Sequence, residues 1–455
     1  MTRQFFGTDG IRGRAGEYPL QPELLTRLGH VLGLRVRRAA QQGDTTTTQV
    51  VIGHDGRESG EPFAAALAEG LARAGVHVDV LGLATTPCIA FITAHGDYSA
   101  GIVVSASHNP AHDNGVKLLN ADGSKLGDTV EIELESELLC ENELTMHSPL
   151  GEIRRAKNLV ADYIGWLRAD AFPDLDLKGW RVLVDCANGA ASQIAQRILK
   201  AFGAEPVVIH DKPDGSNINA DCGALHAQAA ADAAKEHDCV LGVSLDGDAD
   251  RGILVDGSGR ILDGDVILAG LGSLLSRSRS LAGDRVTATV MSNLALERWL
   301  SKDGVSLHRT QVGDRYVSAS MRATGGNLGG EKSGHILFGS EHGFRGDGLY
   351  TFLKIAQAIC EAGLEPSDFA KGYADFPQEL RNLPATRRAP MSELPALSAA
   401  CAAIDAELQG RGRTVVRFSG TELLLRLMVE AETQNDVSQS LDTLEAAARE
   451  DGILA

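Results

Sequence analysis

Val50-Val51-Ile52-Gly53-His54-Asp55-Gly56-Arg57-Glu58-Ser59-Gly60-Glu61-Pro62-Phe63-Ala64, continued as far as Val76-His77-Val78-Asp79-Val80, is the stretch that decides the fold. Val50 to Gly53 is a short apolar run of strand character, and Asp55 to Gly60 has the small polar and glycine residues of a loop. Phe63, Ala64, Leu67 and Leu71 then fall on one helical face, Gly75 stops the helix, and Val76 to Val80 is a second strand. The same sentence returns twice. Arg181-Val182-Leu183-Val184-Asp185 leads through Cys186-Ala187-Asn188-Gly189 into a helix bearing Ile194, Ile198, Leu199 and Phe202, closed by Gly203 before Pro206-Val207-Val208-Ile209. Val286-Thr287-Ala288-Thr289-Val290 leads through Ser292-Asn293 into a helix bearing Leu294, Leu296, Trp299 and Leu300, closed by Gly304 before Val305-Ser306-Leu307. Units recurring at roughly 100 to 130 residues predict three similar α/β domains in tandem. Right-handed crossovers would set each unit's first loop at a strand's carboxyl end, where open α/β sheets bind ligands.

Boundaries follow from composition. Glu141 to Lys157 is charged, lacks strand periodicity and reads as the run-out of the first domain; Asp256-Gly257-Ser258-Gly259-Arg260 is a turn at the second boundary. Prolines crowd between Phe376 and Pro395, the pattern of a semi-rigid linker. Beyond it, a helix around 397–408, strands around 414–417 and 423–429 and a closing helix 437–449 make a smaller α+β module. The expected domains are 1–157, 158–256, 257–373 and 374–455.

The chain has 455 residues, 43% hydrophobic and 23% charged, the balance of a globular protein large enough for several cores. No window approaches the roughly 18 uninterrupted apolar residues of a membrane span. Met1 to Asp9 lacks the apolar core of an export signal. Seven scattered cysteines without Cys-x-x-Cys spacing argue for a reducing cytoplasm, against a disulfide framework and against a zinc site. A net charge of -18 and few aromatics oppose nucleic-acid binding, so an anionic ligand would need local cations or a metal.

Five loops carry chemistry. Gly7-Thr8-Asp9-Gly10-Ile11-Arg12-Gly13-Arg14 spaces glycines around arginine, and Arg12 offers a forked contact to phosphate. Gly101-Ile102-Val103-Val104-Ser105-Ala106-Ser107-His108-Asn109-Pro110 is a strand breaking into a proline-stiffened loop that displays the Ser107 hydroxyl; the plain alternative is a capped turn. Asp246-Gly247-Asp248-Ala249-Asp250-Arg251 places carboxylates at every second position with little bulk between, so three oxygens can curl onto one hard cation. An EF-hand would need Gly and Glu where Arg251 and Gly257 stand, so oxygen-only ligation favours Mg²⁺; a solvated acidic turn is the alternative. Gly329-Gly330-Glu331-Lys332-Ser333-Gly334-His335 is not a Walker loop, because Glu331 interrupts it, but it offers acceptor, cation, hydroxyl and imidazole to a sugar. Arg417-Phe418-Ser419-Gly420-Thr421-Glu422, with Arg426 beyond, would cradle a phosphate dianion; a hairpin turn with a cation on its shoulder would look the same.

Taken together these residues resemble the α-D-phosphohexomutases nearly end to end, in the family's order: Phe6 to Gly13, Ser105 to Pro110, Asn114-Gly115-Val116-Lys117, Asp246 to Arg251, Gly330 to His335 and Arg417 to Glu422. The Phe-Gly-Thr-Asp-Gly opening and Val312-Gly313-Asp314-Arg315-Tyr316 are most similar to the family's glucosamine branch. The resemblance implies three tandem similar α/β domains with mixed sheets and a smaller C-terminal α+β domain around a central cleft. It implies a phosphoryl group on Ser107 and one Mg²⁺ held by Asp246, Asp248, Asp250 and a phosphoserine oxygen. Arg12, His108 and Lys117 would then stand near the reacting groups. Arg251, Glu331, Ser333, His335 and Asp314 would face the sugar, and Arg417, Ser419, Gly420, Thr421 and Arg426 would hold the distal phosphate. The implied activity converts glucosamine 6-phosphate to glucosamine 1-phosphate through a 1,6-bisphosphate, supplying amino sugar for the cell wall. The implied partner is a small sugar phosphate, with no nucleic acid and no membrane, in a monomer or homodimer. Glucose- or mannose-phosphate turnover, or a noncatalytic sugar-phosphate sensor, remain the alternatives. The chain departs from the family's pattern at Ala249, often glycine, at Leu423, often proline, and at Lys332, often neutral.

Overall fold

The computed structural model describes residues 4–7, 9–43, 47–140, 147–419 and 423–454. Four sheets follow one another along the chain, with seven, five, four and three strands. The first three share one four-strand plan. In the first, Gln49–His54 lies between His77–Leu83 and Ala100–Val104, parallel to both, and Asp113–Asn120 turns back antiparallel beside Ala100–Val104. In the second, Arg181–Asp185 lies between Glu205–Ile209 and Leu241–Leu245, with Gly252–Asp256 antiparallel beyond. In the third, Arg285–Thr289 lies between Ser306–Thr310 and Leu328–Gly330, with Ile336–Phe338 antiparallel beyond. The mixed-sheet, three-repeat reading of the sequence is therefore the fold.

Local sequence explains the elements. The helix Thr86–His95 begins where the Thr85 hydroxyl accepts from the Cys88 amide, and Pro87 sits in its first turn, where a missing N–H costs nothing. The helix Gly348–Ala362 is capped by Asp347 and ends at Gly363, whose φ of 61° suits a residue without Cβ. Strands such as the apolar Ala100–Val104 and Leu241–Leu245, whose one polar side chain is Ser244, are buried on both faces, as central strands in layered α/β domains must be.

The cores explain the assembly. One buried cluster runs from Val51 and Val103 through Val182, Val184 and Leu245 to Val286, Phe338 and Phe352, so the three α/β domains share a continuous apolar interior. The opposite face of the first sheet has its own cluster, with Val50, Ile52 and Val104 against Leu28, Leu67 and Leu71. The last sheet is separate: Leu425, Leu427 and Val429 pack on Leu397, Ile404, Leu441 and Leu444.

Two expectations need correction. The charged run-out 141–157 contains a strand, Ile153–Arg155, added parallel to His77–Leu83; ion pairing of Arg154 to Asp79 at 2.9 Å holds this exposed edge where hydrophobicity does not. The proline-dense stretch 376–395 is not all linker, because Gln378–Pro384 pairs with Leu424–Ala431. It is an edge strand with Pro384 at its end, a position where the missing donor is tolerated. The chemistry-bearing loops leave the third strand of each repeat.

Candidate active site

The loop between third and fourth strands is the equivalent position in all three domains, and it is where Ser107, Asp246 to Arg251 and Glu331 to His335 lie. One repeated plan thus brings three different loops to the carboxyl ends of three sheets. They interlock through the main chain. The Gly252 amide donates to the Gly334 carbonyl at 3.0 Å and the Thr86 amide to the Asp248 carbonyl at 2.9 Å.

Ser107 is 1% exposed, and its Oγ donates to Asp246 Oδ2 at 2.5 Å across 139 residues of chain. His108 Nδ1 stands 3.4 Å from the same hydroxyl. Burial, followed by the Arg251 and Arg12 cations, pushes the His108 imidazole down to about 4, so the ring is neutral at ordinary pH.

Asp246, Asp248 and Asp250 are buried, with ligand oxygens within 4.8 Å of one another. Lys117 is buried among them, its Nζ donating to Asp248 Oδ2 at 2.8 Å and Asp250 Oδ2 at 3.0 Å. Burial opposes the Lys117 charge, but Asp248, Asp250 and Asp9 outweigh it and hold the ammonium well above its ordinary range. Burial, then Asp250 and Asp248, pushes the Asp246 carboxyl well up, the signature of negative charge without enough compensation. Asp248 Oδ1 and Asp250 Oδ1 are buried with no hydrogen-bond donor. Orphaned hard anionic oxygens of this kind fit a divalent cation, so the trio is able to hold a metal. Ala249, between two of the carboxylates, has φ 59°, a left-handed conformation that lets the loop curl and explains why glycine also suits this slot.

Residues 331–335 form a tight hairpin turn, the Glu331 amide donating to the His335 carbonyl at 3.0 Å. Glu331 Oε1 accepts from the Gly313 amide at 3.0 Å, immediately before Asp314 at the start of the helix Asp314–Thr324. His335 stands between two domains' carboxylates, 3.8 Å from Asp250 Oδ1 and 3.7 Å from Asp314 Oδ2. The Nε atoms of Arg12 and Arg251 and the Ser333 hydroxyl are buried without partners, donors poised for a polar ligand. In the last domain, Arg417 and Arg426 face each other across paired strands, and Arg426 Nη2 donates to Ser419 Oγ at 3.3 Å. Burial, and after it the Arg426 charge, lower the Arg417 pKa. Gly420 and Thr421 lie outside the described residues.

Asp9, Lys125 and Thr86 were missed in the sequence. Asp9 takes ion pairs from Arg12, Lys125 and, at 3.3 Å, Lys117, while Lys125 also reaches Asp314 at 2.7 Å. Thr86 Oγ1 donates to Asp248 Oδ2 at 2.6 Å. Asp9 sat inside a quoted motif, but the other two had no local signal, since their partners are far away in sequence: Asp9 and Asp314 for Lys125, Asp248 for Thr86.

A second group, Asp185, His210 and Cys222, also brings ligand atoms within 4.8 Å. Here the donors are spoken for. Both Asp185 oxygens accept, from His210 Nδ1, the Ala187 and Gly223 amides and Ser244 Oγ, and burial pushes the Cys222 thiol up to about 12. The group braces two loops rather than awaiting a cation.

The chain belongs to the phosphoglucomutase/phosphomannomutase family. Residues 3–144, 162–259 and 263–376 match its α/β/α domains I, II and III, and 380–447 its C-terminal domain. Within that family the chain is similar to proteins named phosphoglucosamine mutase. That of Koribacter versatilis is 42% identical, covering 98% of this chain and 97% of that protein. That of Magnetococcus marinus is 43% identical over 95% and 89%. Among solved structures, a phosphoglucomutase/phosphomannomutase family protein from Burkholderia thailandensis matches with a TM-score of 0.81 at 26% identity, covering 98% of this chain and 97% of that one.

Proposed function

We propose that this chain interconverts glucosamine 6-phosphate and glucosamine 1-phosphate, using Ser107 as the group that carries a phosphoryl between substrates. The observation that carries the reading is the 2.5 Å approach of Ser107 Oγ to Asp246 in a chain with 42% identity to a phosphoglucosamine mutase.

In this reading phospho-Ser107 transfers its phosphoryl to the sugar's 1-oxygen: the P–Oγ bond breaks, a P–O1 bond forms, and the 1-hydroxyl gives up its proton. The bisphosphate turns over in the cleft, and Ser107 Oγ takes the 6-phosphoryl back, leaving the 1-phosphate. Mg²⁺, held by Asp246, Asp248, Asp250 and a phosphoserine oxygen, would neutralise charge on the transferred group. Lys117 and Arg12 add fixed positive charge beside it. His108, neutral and 3.4 Å from Oγ, is placed to accept the proton of the attacking hydroxyl. Glu331, Ser333, His335, Arg251 and Asp314 orient the sugar hydroxyls and amine, and the Arg417–Ser419–Arg426 face grips the phosphate that is not reacting. Interlocked loops around a buried serine exclude the water that would otherwise take the phosphoryl group.

A coupled assay offering glucosamine 6-phosphate, glucose 1-phosphate and mannose 1-phosphate tests the reading. Fastest turnover of the amino sugar is expected. Fastest turnover of a neutral sugar overturns the specificity, and no turnover of any, with no phosphate on Ser107 by intact mass, overturns the activity.

A further inference from the structure

Ser107 has a φ of 54°, a left-handed conformation that is strained for a residue with a Cβ and persists only where its surroundings over-determine it. The surroundings that do so converge on one side chain. Arg57 is 2% exposed, extraordinary for a guanidinium, and it uses every N–H it has. Nε donates to Asp55 Oδ2 at 2.8 Å. Nη1 donates to the carbonyls of Pro110 and, at 2.9 Å, Asp113. Nη2 donates to the carbonyls of Ser107 at 3.0 Å and Asn109 at 2.8 Å. Four carbonyls of the serine loop thus point at one planar cation.

The same carboxylate closes the circuit on the loop's amide side. Asp55 Oδ2 accepts from Ser105 Oγ at 2.6 Å, and Ser105 Oγ in turn accepts from the Ser107 amide at 2.8 Å. The Ser107 peptide groups are therefore held on both sides by one buried ion pair. From the second domain, Asn219 Nδ2 donates to the Ser107 and Asn109 carbonyls at 2.9 and 3.2 Å, so that carbonyl edge is shared between domains.

We propose that Arg57 is a positioning residue for phosphoryl transfer: with Asp55 it holds the Ser107 loop in its left-handed turn and so aims Oγ at the carboxylate trio. This rests on the assignment of Ser107 as the phosphoryl carrier. Arg57 touches no substrate; it acts through the main chain. Lysine cannot replace it, because an ammonium has three donors from a single point and cannot span carbonyls at Ser107, Asn109, Pro110 and Asp113 together.

The test compares wild type with Arg57→Lys and Arg57→Ala. Measurements are kcat and KM for glucosamine 6-phosphate, single-turnover transfer from glucose 1,6-bisphosphate to Ser107 followed by intact mass, and thermal melting. Arg57→Lys is expected to lose about a hundredfold in kcat and in the single-turnover rate, the scale of an ångström-level misplacement, with KM within about twofold of wild type. Millimolar guanidinium ion is expected to restore part of the lost rate in Arg57→Ala and none in the double variant that also carries Ser107→Ala. Wild-type kcat in Arg57→Lys overturns the proposal, as does a loss wholly matched by a lower folded fraction at the assay temperature. If Arg57→Ala does not fold, the Lys variant's split between kcat and KM decides alone. Failure of wild type to acquire phosphate on Ser107 would instead refute the carrier assignment, so the two failures are distinguishable.

Discussion

The Lys117 ammonium and the Asp248 carboxylate, 131 residues apart in sequence, meet at 2.8 Å with both side chains buried. Lys117 is the nearest counter-charge to a carboxylate trio that has more negative charge than one ammonium can balance. Removing one member of a buried pair leaves the other uncompensated, at a cost of about 3–5 kcal/mol. Lys117→Met is therefore expected to lower the melting temperature strongly in EDTA and to regain much of it in millimolar Mg²⁺, since a bound cation then compensates the carboxylates. Equal melting of variant and wild type in EDTA would show that the pair carries no such load.

Gly247 is a second point, beside Asp246, where the aspartate loop touches the serine loop. A Cβ there would lie 2.7 Å from the Ser107 carbonyl oxygen and 2.8 Å from Ile218 Cδ1. Backbone cannot yield as a flexible side chain does, so Gly247→Ala should push the two loops apart while leaving each domain folded. Expected is a loss of about a hundredfold in mutase kcat with an unchanged circular dichroism spectrum. Undiminished turnover would mean that the close approach has no catalytic weight.

How much of this was legible depended on whether a residue's partner was near it in sequence. The three repeats could be read because Val50–Gly53, Arg181–Asp185 and Val286–Val290 are apolar runs, each followed by a helical face and a terminating glycine. The strand Ile153–Arg155 could not, because its residues are exposed and charged, and only pairing with His77–Leu83 makes it a strand. The site loops were visible as motifs, yet the shared position of all three in the repeat was not, since hairpin pairing of Ala100–Val104 with Asp113–Asn120 and its two equivalents is a long-range property. Lys125, Thr86 and Arg57 owe their roles to partners on other elements, which no local pattern records.

His342 gives the fold a dependence on pH away from the serine. It is 1% exposed, stacked on Tyr350 and Trp166, and its Nε2 lies 3.1 Å from Asp347 Oδ2. Burial lowers its pKa; Asp347 pulls the other way and nearby Arg345 adds to the lowering. With the folded pKa below the unfolded value, the unfolded chain takes up the proton first as pH falls, so this stabilisation is complete above about 6.5 and is lost on acidification. His30 and His54 are lowered in the same direction, also chiefly by burial. Between pH 7.5 and 5.5, His342→Gln should therefore remove a destabilisation on acidification of up to about 1.4 kcal/mol per pH unit, read as the difference between the two proteins' stability-against-pH slopes. A slope unchanged in the variant would refute the assignment.

Arg417 and Arg426 test the proposed distal phosphate site independently of the chemistry at Ser107. They are direct partners across Gly412–Phe418 and Leu424–Ala431. A contact to the nonreacting phosphate is made in ground and transition states alike, so its loss is expected mainly in KM. Arg417→Ala should raise KM for glucosamine 6-phosphate about tenfold to a hundredfold, matching a lost charge-assisted hydrogen bond of about 1.5–3 kcal/mol, and lower kcat far less. Arg417→Lys should recover only part of the loss, because an ammonium cannot make the forked contact. Removing Arg417 should also abolish most of the stabilisation that substrate gives. A variant whose KM is unchanged while kcat collapses would move Arg417 from the grip on the distal phosphate to the reacting centre.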